Sequence, residues 1–134
     1  MRLWHVDLLE YLPRGQLLSQ WRELNSIFAK EDKHILINYI YEYPKDELYV
    51  YTVKVMDEMK KRGYKVRAYE KMDNYFEDLE SVKNVKPFKN HHDREYLQIC
   101  YYNLKEKFIR GQKDYEEDMY DNLCKYVDDI LLSQ

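Results

Sequence analysis

The sequence predicts an all-α protein, and three observations lead to that prediction. Only 3 glycines and 3 prolines occur in 134 residues, which leaves few places for the tight turns of a β-sheet. Apolar residues recur at the three- and four-residue spacing of amphipathic helices in four stretches of the chain. No internal repeat, low-complexity tract or linker divides the chain. We therefore expect a compact single domain over residues 1–134, with about four helices and irregular connecting segments.

The first predicted helix begins near Pro13, whose missing N–H costs little in a first turn, and continues to about Lys30. Four apolar residues share its buried face: Leu17, Trp21, Leu24 and Phe28. Gln16, Gln20 and Glu23 share a different face, while Arg22 lies on the surface row of Ser19 and Ser26. A carboxylate beside amides on a rigid helix suits an active site, and it equally suits a solvated charged face. The helix alone does not decide between them.

The second predicted helix spans residues 45–62, after a segment that Pro44 closes. That segment, residues 31–44, alternates in polarity for a few positions and fits either an extended strand or a short buried turn. Four residues share the buried face of the second helix: Leu48, Thr52, Val55 and Met59. Gly63 follows as a left-handed terminator. Residues 64–89 are predicted to be irregular, with room for one short helix.

Two further helices are predicted in the C-terminal third of the chain. Asn90 and Asp93 have the spacing of a capping box, so the third helix should begin at His91 and end at Gly111. Its buried stripe is Leu97, Cys100 or Tyr101, Leu104 and Phe108. The fourth helix spans about residues 114–132, with Asp114 as its cap, and turns its carboxylates outward. Its inward residues are Met119, Leu123, Val127 and Ile130 or Leu131.

The charge distribution does not show the basic surface of a typical nucleic-acid-binding protein. The formal net charge is −3, and the acidic residues concentrate in the fourth predicted helix. The best positive cluster, at residues 60–62, 65 and 67, includes three charges that a helix C-terminus prefers. The 15 tyrosines suit base stacking, but packing at the edge of the core explains them better.

The cysteines and the hydropathy profile favour a cytoplasmic protein. Cys100 and Cys124 show no CxxC spacing and are interpreted as buried residues of a reduced, intracellular chain. No apolar run approaches the length of a membrane span, so no membrane partner is expected. The first residues do not form a signal peptide, because their short apolar stretches are interrupted by Arg2, Asp7 and Glu10.

The opening segment, MRLWHVDLLEYLPRGQLLSQWRELNSIF, resembles the start of the pyrimidine-dimer DNA glycosylases of the phage endonuclease V type, and most of all their bacterial relatives. Five positions match that family's helix in register: Leu17, Arg22, Glu23, Leu24 and Phe28. KRGYKV at 61–66 resembles the family's turn after the next helix, and HHDREYLQICYYNLKEK at 91–107 resembles its last long helix. The resemblance implies an all-helical fold and a glycosylase with abasic-site lyase activity on damaged DNA.

The mechanism that the resemblance implies uses the chain's own α-amino group as the nucleophile. That amine attacks the sugar C1′ and forms a Schiff base, and a glutamate of the first helix is essential; here these groups are the Met1 amine and Glu23. The chemistry is reasonable because an α-amine, with a reference pKa of about 7.7–8.0, is partly neutral near physiological pH. The resemblance assigns contacts with DNA to Arg2 and Arg22, and it implies no cofactor.

The sequence departs from the family pattern in three places. Family members expose a threonine after removal of the initiator methionine, whereas the bulky Arg2 disfavours that removal and leaves Met1 as the nucleophile. Gln16, a further candidate DNA contact, stands where the family carries a histidine, and the acidic fourth helix replaces a basic, aromatic tail. A second hypothesis therefore stays open: a non-catalytic binding protein on the same fold, whose acidic helix contacts a basic partner or forms a homo-oligomer.

His91 and His92 form a further candidate site at the predicted start of the third helix. Free N–H groups and two imidazoles suit a phosphate, although helix capping and the contact of two polar side chains with solvent explain the pair equally well. His91 and Glu95 have a spacing that can share a metal ion, but two ligands do not make a site, so no metal is expected. His5 and His34 are interpreted as hydrogen-bonding groups, and Trp4 and Trp21 as core anchors.

Overall fold

The computed structural model describes residues 2–133, and its regular structure in that range is entirely helical. The α-helices are α1 (Arg14–Ala29), α2 (Lys45–Lys61), α3 (Glu70–Tyr75), α4 (Arg94–Ile109) and α5 (Glu117–Leu132). Two 3-10 helices, Val6–Tyr11 and Asn38–Glu42, precede α1 and α2. The all-α prediction is confirmed. None of the helices in this range is long and apolar enough to cross a bilayer.

The first two predicted helices match α1 and α2 closely. α1 begins directly after Pro13 and buries the predicted apolar stripe. α2 has acidic residues in its first turn and Lys60 and Lys61 in its last, the arrangement that the helix dipole favours. Gly63 has a φ of 85°, which confirms it as the left-handed terminator. α3 is the short helix within the segment predicted to be irregular.

The predicted start of the third helix at His91 is wrong. α4 begins at Arg94, and the Asp93 side chain caps it by accepting a hydrogen bond from the Tyr96 N–H at 2.9 Å. The N–H groups of His91 and His92 instead donate to the Phe88 carbonyl, at 2.9 and 2.7 Å. These two residues therefore belong to a separate turn before the helix, because the backbone of Asp93, the N-cap residue, is extended between the turn and α4.

Asp114 is a cap, but not of the helix that follows it. α5 begins at Glu117, and its N-cap residue, Glu116, makes no side-chain capping bond. The Asp114 carboxylate instead accepts a hydrogen bond from the N–H of Gly15 at the start of α1. The predicted cap of the fourth helix is therefore corrected to a long-range cap of the first. Between α1 and α2, the chain forms a turn and a 3-10 helix rather than a strand.

The N-terminal segment runs through the middle of the fold. Leu3, Leu8 and Leu12 have no exposed side-chain surface, and they join one continuous apolar cluster with residues of all five α-helices. The Tyr51 hydroxyl of α2 donates to the Trp4 carbonyl at 2.8 Å, and the Tyr96 hydroxyl of α4 donates to the Leu3 carbonyl. The hydroxyls of these buried tyrosines thus donate to backbone carbonyls of the N-terminal segment, which agrees with a packing role for this residue type.

Arg62 has a structural role at the end of α2. Its guanidinium pairs with Glu58 at 2.8 Å and donates to the carbonyls of Leu12 and Glu10 at 2.8 and 3.1 Å. It thereby satisfies carbonyls at the end of the first 3-10 helix. Arg62, which belongs to the basic cluster at residues 60–62, 65 and 67, therefore holds the N-terminal segment through hydrogen bonds.

Candidate active site

A small open pocket, with a cavity volume of about 190 Å³, lies between the N-terminal segment, α1 and α4. Arg2 and Trp4 come from the N-terminal segment, Gln16 and Glu23 from α1, Leu36 from the turn before α2, and Asn103 and Lys107 from α4. Three residues that the sequence singles out, Arg2, Gln16 and Glu23, therefore meet in one pocket. The structure brings them together because the N-terminal segment packs across α1.

Gln20 fixes the position of the N-terminal segment relative to Glu23. Its amide nitrogen donates to the Arg2 carbonyl and to the Glu23 carboxylate, both at 3.1 Å. Its amide oxygen accepts from the Trp4 N–H at 2.8 Å and lies 2.8 Å from the Tyr51 hydroxyl, whose one proton is shared between this oxygen and the Trp4 carbonyl. The side chain is only 1% exposed, so little water competes for its hydrogen bonds. One buried glutamine thus ties the backbone of residues 2–4 to the acid of α1.

Burial raises the pKa of the Glu23 carboxyl above its ordinary value of 4.5. Hydrogen bonds from the Gln20 side chain and the Arg2 backbone, together with the charge of Arg22, oppose that shift and favour the ionised form. The carboxyl is half-buried and opens into the pocket. A carboxyl in this environment can exchange protons with a bound substrate more readily than a solvated one.

Two cationic side chains, Arg2 and Lys107, line the same pocket as Glu23. The guanidinium of Arg2 lies 5.9 Å from the centre of the Trp4 ring, and the half-buried Lys107 faces the pocket from α4. Asn103 lies one turn before Lys107 on the same flank of that helix. The pocket therefore combines one carboxylate with two cations and two amides, which suits a ligand that carries phosphate groups.

The acidic helix α5 lies on the other flank of α4. Tyr101 and Phe108 of α4 contact it: the Tyr101 hydroxyl lies 3.6 Å from the Cys124 sulfur, and the Phe108 ring stacks on Tyr120 with 3.9 Å between centroids. The buried stripe of Leu97, Cys100 and Leu104 separates this flank from Asn103 and Lys107. The carboxylates of α5 are therefore not part of the pocket wall.

His92 does not join the pocket. It is 2% exposed, and its Nδ1 accepts from the Val6 N–H at 3.1 Å while its Nε2 lies 2.6 Å from the Tyr39 hydroxyl. Burial lowers the pKa of His92 to about 2, with the neighbouring His5 and His91 acting in the same direction. Both ring nitrogens already have hydrogen-bond partners, so neither is free for a phosphate, and the structure argues against that expectation for His92.

The remaining candidates lie outside the pocket wall or outside the described residues. The half-buried His91 stacks on Tyr39 with 3.5 Å between ring centroids, and burial lowers its pKa. Arg22 is exposed and donates to the Ser19 hydroxyl at 2.9 Å, as the predicted surface row requires. Met1, the expected nucleophile, lies outside residues 2–133.

A family model described as pyrimidine dimer DNA glycosylase matches residues 1–72 of the 134-residue chain. The matched part contains the N-terminal segment, α1 and α2, and with them Arg2, Gln16 and Glu23 of the pocket. The chain belongs to the pyrimidine dimer DNA glycosylase family. Membership suggests DNA as the substrate class. No curated protein and no solved structure matches the chain.

Sequence patterns did not single out Asn103, Lys107 or Leu36, which complete the pocket. All three lie outside the first helix, and Asn103 and Lys107 also lie beyond the part matched to the family. The only local signal is the four-residue spacing of Asn103 and Lys107, polar positions next to the buried stripe of α4. That spacing is common on helix surfaces, so only the packing of α4 against the N-terminal segment identifies it.

Proposed function

We propose that this family member is a DNA N-glycosylase and abasic-site lyase that uses the Met1 amine as its nucleophile and Glu23 as its acid and base. The observation that carries the proposal is the pair of hydrogen bonds that the Gln20 amide nitrogen donates, one to the Arg2 carbonyl and one to the Glu23 carboxylate. In the covalent chain only two carbon atoms separate the Met1 amine from the Arg2 amide nitrogen. The proposal is that this amine attacks the sugar carbon on which Glu23 acts.

The proposed reaction begins when the neutral amine attacks C1′ of the damaged nucleotide. The bond from C1′ to the base breaks, and the base leaves with the electron pair. Glu23 stabilises the positive charge that develops on the sugar and transfers the protons that ring opening to a Schiff base requires. The lyase step then removes a C2′ proton and expels the 3′ phosphate. The raised pKa of Glu23 favours this exchange of protons.

The same pocket offers contacts for the flanking phosphates. Arg2 and Lys107 are the two cations that line it, and Gln16 and Asn103 supply amide groups. Arg22, exposed beside Glu23 on α1, is positioned to contact the DNA backbone outside the pocket. No metal ion or cofactor takes part in the proposed reaction.

Borohydride trapping tests this function directly. Duplex DNA with an abasic site, and separately with a pyrimidine dimer, is incubated with the protein and sodium borohydride, which reduces a Schiff base to a stable amine. We expect a covalent adduct whose mass maps to the peptide that contains Met1. Glu23→Gln should abolish turnover, whereas Glu95→Gln, an exposed glutamate of α4, should leave turnover unchanged.

The outcomes separate the alternatives. An adduct on a lysine would refute the role of the Met1 amine. No adduct with either DNA, together with a folded protein, would refute the enzyme and favour a binding protein that acts through its acidic α5.

A further inference from the structure

An exposed isoleucine stands at the tip of a turn beside the pocket. Ile35 is 86% exposed, the highest value among the large apolar side chains of the described residues. Single exposed apolar residues are common on protein surfaces and by themselves indicate nothing. Ile35 differs in its position, because the next residue, Leu36, is 39% exposed and lines the same pocket as Glu23.

The turn that carries Ile35 is held by its own hydrogen bonds. The N–H groups of Ile37 and Asn38 both donate to the His34 carbonyl at 2.9 Å, and the Leu36 N–H donates to the His34 Nδ1 at 3.1 Å. The His34 N–H donates to the Asn38 side chain at 2.7 Å. Ile37 is fully buried and anchors the turn to the core. The turn therefore presents a β-branched side chain in a defined direction instead of letting it collapse onto the surface.

Positive charge accompanies this apolar tip. Lys33 is exposed at the base of the turn, and its ammonium lies 3.9 Å from the centre of the Tyr41 ring. Across the pocket stand the cations Arg2 and Lys107. Stacked bases are apolar and the phosphates beside them are negative, so duplex DNA is complementary to an apolar tip with cations next to it. An apolar protein surface would offer those cations no partner.

We propose that the turn at residues 34–37 is a wedge that inserts Ile35, supported by Leu36, between base pairs of duplex DNA at the damaged nucleotide. The proposal rests on the proposed function and deepens it. A nucleotide in a duplex is stacked on its neighbours, and its C1′ cannot reach a pocket until that stacking is disrupted. An apolar side chain that enters the stack takes the place of the lost base contacts and kinks the duplex.

A comparison of duplex and single-stranded substrates tests the wedge. Single-stranded DNA with an abasic site needs no unstacking, so a wedge should matter for the duplex alone. We expect Ile35→Ala to lower kcat/KM on the abasic duplex about tenfold and to leave kcat/KM on the single strand within about twofold. Ile35→Met, which keeps an apolar side chain of similar length, should retain duplex activity. Leu132→Ala is the matched control, since Leu132 is an 83% exposed aliphatic residue of α5.

A second readout follows base unstacking without catalysis. The fluorescence of 2-aminopurine, placed beside a tetrahydrofuran abasic analogue in a duplex, rises when the base leaves the stack. The parent protein and Leu132→Ala should produce that rise on binding, and Ile35→Ala should not.

The results distinguish failure of the wedge from failure of the enzyme. An equal effect of Ile35→Ala on both substrates, or a full fluorescence rise with that variant, overturns the wedge alone. A parent protein that cleaves neither substrate overturns the proposed function, and the wedge with it.

Discussion

Gln20 is the residue on which the geometry of the pocket depends most. Its amide uses both donors and both acceptor positions, and every partner belongs to the N-terminal segment, to α2 or to Glu23. A buried amide with all its hydrogen bonds formed fixes one arrangement of its neighbours. Its role is positioning, since it holds the backbone beside Glu23.

We expect Gln20→Leu to destabilise the protein by about 1–3 kcal/mol, because the buried Trp4 N–H loses its acceptor. Turnover on abasic DNA should fall further than stability explains, because the Arg2 carbonyl and the Glu23 carboxylate lose their shared donor. Urea unfolding and cleavage assays under native conditions check the two effects. Gln16→Leu, at a half-buried position on the same helix face, should change the unfolding free energy by less than about 0.5 kcal/mol. Equal stability of the two variants would contradict the positioning role.

His92 makes stability depend on pH. Because Nδ1 accepts from the Val6 N–H, the proton lies on Nε2, which donates to the Tyr39 hydroxyl. The pKa of His92 is about 2 in the folded state, against an ordinary value of 6.5. Between these values the unfolded chain binds a proton that the folded chain excludes, so stability is complete above pH 6.5 and is lost as the pH falls below it.

We expect the unfolding free energy to fall below pH 6.5 with a slope that approaches about 1.4 kcal/mol per pH unit for this one group. His92→Leu should be less stable at pH 7.5, since the Val6 N–H loses its acceptor, and its acid slope should be shallower. Denaturant titrations at pH 7.5 and pH 5 measure both quantities. An unchanged slope in the variant would show that another group controls acid unfolding.

At the scale of elements, the start of α1 is completed by a residue far along the chain. An alanine Cβ at Gly15 would lie 2.8 Å from Oδ2 of Asp114, a distance that such contacts do not tolerate. Glycine therefore lets the capping carboxylate approach without the shift that a Cβ would impose on it. The sequence places Asp114 in a plausible capping position, but it does not indicate which helix it caps.

A double-mutant cycle tests this long-range cap. Asp114→Ala should cost about 1 kcal/mol, the usual effect of losing a cap, and Gly15→Ala alone should also destabilise by displacing the carboxylate. In the Asp114→Ala background, Gly15→Ala should instead stabilise by up to about 1 kcal/mol, since alanine is the better helix former. Thermal or urea unfolding of the four proteins gives the coupling. Additive effects would rule out the contact.

Helix periodicity predicted the elements better than it predicted their ends. The start of α1 and the end of α2 follow from Pro13 and Gly63, because these residues restrict their own backbone angles. The start of α4 was missed by three residues, because the chain first closes a turn on the Phe88 carbonyl and then extends at Asp93, the N-cap residue. Such competition between a turn and a helix depends on tertiary packing and leaves no periodic signal.

For the whole molecule, the separation of charge matters more than the net charge of −3. The exposed carboxylates of α5 lie on one flank of α4, and Lys107 lies with Arg2 on the other. A sequence-wide count of charges argues against DNA, but binding depends on the local field at the contact surface.

We expect Lys107→Gln to weaken binding to abasic duplex DNA and to reduce the slope of log K against log salt by about 0.9, the value for one lost phosphate contact. Lys125→Gln removes an equal charge from an exposed site on α5 and should leave the slope unchanged. Fluorescence anisotropy across a salt series measures both slopes. Equal changes in the two variants would mean that only net charge matters.

The sequence by itself determined the helices, the apolar faces that they bury and the candidate acid Glu23, because these follow from local periodicity, special backbone residues and the resemblance of one helix. Only the tertiary structure decided which groups meet. Through Gln20 the fold holds the Arg2 backbone beside Glu23, and α4 contributes Lys107 to the same pocket. The fold also buries His92 in the interior. Contacts between distant segments depend on how helices pack, and that packing is a property of the complete core rather than of any short stretch of sequence.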